Sequence, residues 1–330
     1  MALTVGIVGT GGIAKTRYVP FLAKVDDVSL LYWNRTRQKA EDCAAQFGGK
    51  VLGSIEDLVA AKPDAILVLT NEMARYEVAM KLLAGGPRRL FFEKPLVAME
   101  GQARVREKDF HLARELLQRA RDGGTETAMV FNYRFFDVVQ TARRIVQERS
   151  WGKFLHAAAF VHYACWSHAI DLLQWFAGPV ARVSALAGPV EYDWSGKACD
   201  MVGSFVLENQ ATGTILGTQA MSFTGPLFDI ILSLEGGRLR LRCLDCELEV
   251  VDYNTRHVER SALTPHISRW DTYGASFGRS VGAYLQSIRD GGEPPVPGIA
   301  GLRELQFEAA LKRSAAEGRP VDVQKEFPLL

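Results

Sequence analysis

The sequence predicts an α/β half followed by an α+β half that carries a large, mostly antiparallel open sheet. Over the first ~130 of 330 residues, short apolar runs alternate with helical periods, the pattern of parallel strands covered by helices. A glycine-rich turn follows the first apolar run. Beyond Arg134 one helix, one strand and another helix give way to strands joined by short turns, several with period-2 alternation. The change of pattern divides the chain into 1–132 and 133–330.

In chain order, the expected strands of the first half are Thr4 to Val8, Val28 to Trp33, Lys50 to Leu52, Ala65 to Leu69, Arg89 to Phe92 and Thr127 to Phe131. Helices fill the gaps. Arg37 to Phe47 stops at Gly48 and Gly49, Ser54 caps a helix that ends before Pro63, and Lys108 to Asp122 aligns Leu112, Leu116 and Ala120 before Gly123 and Gly124. The second half is expected to hold strands at Val180 to Leu186, Met201 to Leu207, Thr212 to Ala220, Leu227 to Leu234, Arg238 to Cys243 and Glu247 to Asp252, with a hairpin turn at Gly236-Gly237. Two helices close it, Trp270 to Ile288 and Gly301 to Ala316.

Composition narrows the function. Hydrophobic residues make up 48%, and 39 Lys+Arg against 38 Asp+Glu leave a net charge of +1. A chain this neutral has no field to gather nucleic acid or an anionic membrane, so neither is an expected partner. No apolar run approaches the ~18 residues of a spanning helix, and Thr4 to Val8 reads as a core strand with no leader before it, which points to the cytoplasm. The 5 cysteines, an odd and scattered set, suit reduced thiols. Cys243 and Cys246 lack the further ligands of a zinc site and read better as two strands meeting at a turn. No metal is expected.

Gly9-Thr10-Gly11-Gly12-Ile13-Ala14 opens a helix directly after the first strand. Gly9 permits the tight turn, Gly11 lets backbone N–H groups approach a pyrophosphate, and Ala14 lets helix and strand pack closely. In this context the turn predicts a Rossmann dinucleotide site. The second strand ends in Asn34-Arg35-Thr36 and not in the acid that would hold a ribose 2′-hydroxyl. A guanidinium with small polar donors suits a 2′-phosphate, so NADP is expected over NAD. Ligands bind at the carboxyl ends of strands in such sheets. That rule singles out Lys94, in Phe91-Phe92-Glu93-Lys94-Pro95-Leu96 after the fifth strand.

These features, together with Phe131-Asn132-Tyr133-Arg134-Phe135, His168-Ala169-Ile170-Asp171, Glu293-Pro294-Pro295-Val296, Gly301-Leu302 and Ser314-Ala315-Ala316-Glu317-Gly318-Arg319, resemble the Gfo/Idh/MocA family of oxidoreductases. They stand in family order over nearly the whole chain. The resemblance implies a nicotinamide-dependent dehydrogenase or reductase acting on a sugar, polyol or related cyclic compound, assembled as a homodimer or homotetramer through the open face of the C-terminal sheet. It carries a catalytic role over to Lys94, between nicotinamide and substrate, where an ammonium stabilises charge building on oxygen. His168 is the second catalytic candidate, with Ser167 as a helix cap and Asp171 on the same helix face to orient it. Thr70, Asn71, Glu93 and Arg134 are expected at the cofactor. Tyr133, Trp166 and Asp171 are expected at the substrate.

The chain departs from the family at one point. Ala164 stands where an Asp usually precedes the His by four residues, and the usual glycine-rich substrate loop before it is missing. His162, Tyr163 or Cys165 could stand in. The departure keeps two rival readings open: a dinucleotide-binding regulator without turnover, and a reductase of a more apolar carbonyl or dihydrodiol.

Overall fold

In this computed structural model, which describes residues 2–193, 196–243 and 246–330, the apolar runs of the first half become β1 (Leu3–Val8), β2 (Val28–Trp33), β3 (Lys50–Val51), β4 (Ala65–Val68), β5 (Arg89–Phe92) and β6 (Glu126–Met129). They pair in parallel in the order β3-β2-β1-β4-β5-β6. β4 is buried at every position because helices cover both faces of the sheet. The chain reverses direction across the sheet between β1 and β4, so a crevice opens at their carboxyl ends.

The helices are α1 (Val19–Leu22), preceded by a wide π turn at Ala14–Tyr18, then α2 (Arg37–Phe47), α3 (Ile55–Ala60), α4 (Glu72–Ala84) and α5 (Glu107–Asp122). Pro20 cannot donate to the carbonyl four residues back and would clash with it, which the wider turn relieves. As the sequence predicts, Ser54 Oγ caps α3 by accepting from the backbone N–H of Asp57 at 2.9 Å.

The second half continues with α6 (Asp137–Glu148), β7 (Phe154–His162), α7 (Trp166–Ala177), β8 (Val180–Asp193), β9 (Lys197–Leu207), β10 (Thr212–Thr218), β11 (Phe228–Leu234), β12 (Gly237–Cys243), β13 (Glu247–Asp252), β14 (His257–Ser261), α8 (Arg269–Asp290), α9 (Ile299–Glu317), β15 (Val321–Asp322) and α10 (Val323–Glu326). The sheet order is β14-β13-β12-β11-β7-β10-β9-β8-β15. Within this sheet, among the described residues, only β7 and β10 pair in parallel; the large, mostly antiparallel sheet is as the sequence predicts. α9 lies close on this sheet because Gly203 has no side chain, and a Cβ there would meet Leu311 Cδ2 at 2.4 Å.

Several boundaries differ from expectation. β8 runs on to Asp193, and β14 and β15 were not foreseen. The hairpin turn is Glu235-Gly236, since Gly237 already pairs with Leu234. The turn expected between Cys243 and Cys246 involves residues 244–245, which lie outside the described residues. α8 packs on the first sheet: Phe277, Val281, Tyr284 and Leu285 share a core with Val5, Ile7, Tyr18 and Phe91. Gly278 and Gly282 make room there for the ring of Phe21. No helix of the described residues is long and apolar enough to cross a membrane.

Candidate functional site

The crevice begins at the glycine turn. Gly9 has φ +96°, and a Cβ on it would stand 2.8 Å from the backbone nitrogen of Thr70, so only glycine lets the β1 and β4 ends approach this closely. A Cβ on Gly11 or Gly12 would meet nothing within 4 Å, because both border open space. Asn34 braces the turn. Its Oδ1 accepts from the N–H of Thr10 at 3.0 Å, and its Nδ2 donates to Thr36 O at 2.9 Å. Among the described residues, the buried hydroxyls of Thr10 and Thr70 have no hydrogen-bond partner.

A cavity of about 510 Å³ extends from there, lined by Gly9, Gly11, Asn34, Arg35, Thr36 and Thr70 among others, with Asn71 at its rim. Such a space, closed on one side by glycine backbone and bordered by the unpartnered hydroxyl of Thr70, fits the adenosine and phosphate portion of a dinucleotide. Lys39 and Lys81 add positive charge to its wall, Glu56 and Glu77 negative charge. Arg37 is not part of it; it pairs with Glu41 at 2.7 Å. Gly12 and Ile13, expected with the turn, lie at the start of the following helix.

Arg75, on α4, holds the rim together, and nothing in the sequence announces it. Its buried guanidinium donates to Glu93 O at 2.7 Å, to Thr70 O at 2.7 Å and to Pro95 O. One side chain thus ties the segments after β4 and β5. Burial lowers its pKa, while the nearby Glu93 charge opposes the shift. The Glu93 carboxylate accepts from Tyr18 Oη at 2.6 Å and from the backbone N–H of Lys94 at 2.7 Å. The acid thereby fixes the backbone that presents Lys94.

Lys94 follows β5, and its Nζ donates to Gln102 Oε1 at 2.8 Å. His168, 2% exposed, lies in the first turn of α7. Its ring stacks on Tyr133 and meets Phe131 edge-on. Burial, and then the charge of Lys94, push its pKa well below the usual value, so the imidazole is neutral. Among the described residues, His168 Nδ1 and Trp166 Nε1 have no hydrogen-bond partner. Trp166 is seated over Gly217, where a Cβ would lie 2.5 Å from the indole ring.

Two local expectations need correction. Asp171 does not orient His168. It receives both prongs of Arg134, at 2.7 and 2.5 Å, and the guanidinium also lies 5.0 Å from the Trp175 ring. A bidentate partner outcompetes an imidazole for a buried carboxylate. Ser167 is not the cap, because α7 already begins at Trp166. The preceding turn is capped by His162, whose Nδ1 accepts from the N–H of Ala164 at 3.0 Å. The connection from β7 to α7 is this short turn, Tyr163–Cys165, as the sequence suggests. Cys165 Sγ sits 3.3 Å from Tyr133 Oη.

Residues 3–120 match the profile of an oxidoreductase family described as an NAD-binding Rossmann fold, and residues 129–323 match its C-terminal alpha/beta domain. Among curated proteins, the chain is 24% identical to D-apiose dehydrogenase of Paraburkholderia graminis over 69% of this chain and 68% of that protein. It is 26% identical to glucose-6-phosphate 3-dehydrogenase of Bacillus subtilis over 46% of this chain, a match that spans only 40% of the relative. Among solved structures, an oxidoreductase from Agrobacterium radiobacter in complex with NAD+, L-tartaric acid and magnesium superposes with a TM-score of 0.82 at 18% identity, covering 99% of this chain and 100% of the other. Levoglucosan dehydrogenase in complex with NADH and levoglucosan gives 0.80 at 16% identity, over 98% and 100%. At these identities the structures establish a shared fold.

Proposed function

We propose that this chain, which belongs to the Gfo/Idh/MocA family of oxidoreductases, transfers a hydride between a nicotinamide dinucleotide and a hydroxyl or carbonyl group of a sugar, polyol or related cyclic compound. The observation that carries the reading is the pairing of Lys94, fixed by Glu93 and Gln102 at the end of β5, with the buried neutral imidazole of His168. The sugar dehydrogenases among its relatives support the substrate class. When bound, the nicotinamide supplies or accepts the hydride. Lys94 places its ammonium beside the reacting oxygen and stabilises the charge that builds there. His168, neutral and with an unpartnered nitrogen, serves as hydrogen-bond partner or base and not as a cationic acid.

The cofactor is proposed to be NADP. Arg35 lines the cavity beside Asn34 and Thr36, with no hydrogen bond or ion pair to the protein among the described residues, which leaves its fork open to a phosphate. A second reading, a more apolar cyclic substrate, is favoured by the rings of Phe228 and Tyr273 gathered around Tyr133, which itself stacks on His168. One experiment addresses both: a screen of sugars, polyols, cyclic ketones and dihydrodiols, each followed by NADPH absorbance. Turnover of a sugar or polyol is expected; turnover of apolar ketones or dihydrodiols alone would transfer the assignment to the second reading. Tight NADPH binding with no turnover of any compound would leave a regulator as the better account.

A further inference from the structure

We propose that Gln102 is the positioning residue for Lys94: its side-chain amide holds the free end of the lysine, so that the ammonium is in place before a substrate arrives. The proposal rests on the oxidoreductase reading above and adds a residue to it. The contact is direct, since Lys94 Nζ donates to Gln102 Oε1 at 2.8 Å in a partly buried setting. An ammonium has three hydrogens to donate and no lone pair to accept with, so the amide must turn its oxygen toward Lys94. One hydrogen is taken there, and the other two remain for the crevice.

The two ends of the lysine are held by different means. At its base, Arg75 donates to the carbonyls of Glu93 and Pro95, on either side of Lys94, and the Glu93 carboxylate accepts from the Lys94 N–H. These bonds fix the backbone but leave the long, flexible stem free to turn. Among the described residues no carboxylate pairs with the ammonium, and Gln102 supplies the hydrogen bond at its tip. A neutral amide suits this task. It orients the ammonium without neutralising the charge that the reacting oxygen needs.

Gln102 is itself held from both halves of the chain. It opens the short turn Gln102–Arg104 between β5 and α5, which the chain enters through Gly101 at φ +90°. Its backbone N–H donates to Glu72 Oε1 on α4 at 3.4 Å, and Ala103 and Val105 are buried in the core. From the second half, Arg104 Nε donates to Lys197 O of β9 at 3.1 Å, and Lys312 of α9 donates to Val105 O. A segment tied to α4, β9 and α9 cannot drift, so the lysine tip is ordered in advance and loses less freedom when substrate binds. Gln102 acts through Lys94 and not on the substrate.

The exchange of the Lys94 ammonium hydrogens with water, followed by NMR of the whole protein labelled at its lysine nitrogens, reads this hold without a substrate. The unmodified protein should show a slowly exchanging signal, identified by its loss in Lys94→Ala. In Gln102→Leu, which is of similar size but has no acceptor, exchange should be about two- to tenfold faster, the effect of losing one hydrogen bond. Gln102→Glu keeps an acceptor and should restore slow exchange, which a change of packing alone would not do. No slow signal in the unmodified protein, unaltered exchange in Gln102→Leu, or fast exchange in both variants overturns the proposal. With a substrate from the screen, Gln102→Leu should lower kcat by about tenfold or more, with KM and NADPH affinity within about threefold of the unmodified protein, and Gln102→Glu should recover part of the rate. An unaltered kcat in Gln102→Leu also overturns it. If the exchange result holds while no compound is turned over, the hold on Lys94 stands and the hydride-transfer reading is the one that fails.

Discussion

The imidazole of His168 lies face to face on the phenol ring of Tyr133, with centroids 3.8 Å apart and planes 8° from parallel. The stack fixes the ring while leaving Nδ1 without a hydrogen-bond partner among the described residues. It also removes water from the imidazole, and Lys94 opposes a second positive charge nearby. The site therefore has a rigid, uncharged histidine with a free hydrogen-bonding position.

That arrangement fixes the sign of a pH effect on stability. The folded pKa of His168 is depressed below its ordinary 6.5, so between the two values the unfolded chain binds the proton and the folded chain does not. The stabilisation is complete above pH 6.5 and is lost as pH falls toward the folded pKa, by at most about 1.4 kcal/mol per pH unit. His168→Gln should flatten this part of the thermal-unfolding profile. A parallel pH dependence in the two proteins would mean that His168 is protonated in the fold.

For Lys94, the expected signature is a split between turnover and binding. In the proposed reaction its charge acts where negative charge builds on substrate oxygen, and Lys94 does not line the cavity that suits the adenosine end. Lys94→Ala should reduce kcat by about 10²- to 10³-fold, with NADPH affinity changed by less than about tenfold. Rapid kinetics and calorimetry on one preparation separate the two; an unaltered rate would remove Lys94 from the chemistry.

Arg35 should set the cofactor preference. NADPH is expected to bind at least about tenfold more tightly than NADH, a difference of about 1.4 kcal/mol, and Arg35→Ala should abolish most of that gap. Arg37→Ala should change little, because that side chain is already paired with Glu41. Equal affinities for the two cofactors in the unmodified protein would contradict the assignment.

The parts of this site that are legible in sequence are those that local geometry dictates. A glycine turn between a strand and a helix, and a lysine just after a strand, occupy the same positions in chain and in space. Contacts between distant segments are not legible in this way. Asp171 stands three residues after His168, yet its partner is Arg134, 37 positions away, and helical spacing alone suggested the wrong pair. Arg75 sits in an ordinary helical segment and becomes important only because three backbone carbonyls converge on it. β14 shows the same limit at the level of the fold: its five residues are all exposed and carry no alternation, and it forms by pairing with β13.

The open face of the second sheet leads to the last prediction. Leu186, Val202, Leu216 and Phe160 occupy one row across β8, β9, β10 and β7, each directly opposite the next in register. Leu186 is 72% exposed, and Val202 and Phe160 are exposed as well, so the row is an apolar stripe facing solvent in the single chain. Scattered apolar residues on a surface are ordinary, but a contiguous stripe on a flat sheet is the kind of surface that two copies can bury against each other. Self-association through this face is therefore expected, with a dimeric or tetrameric mass by light scattering at micromolar concentration. Leu186→Asp combined with Val202→Lys places charges in the middle of the stripe without touching the crevice, and should yield a folded monomer that retains NADPH affinity. A monomeric mass for the unmodified protein would remove this face as an interface. An oligomer that survives the double substitution would direct the search to another surface.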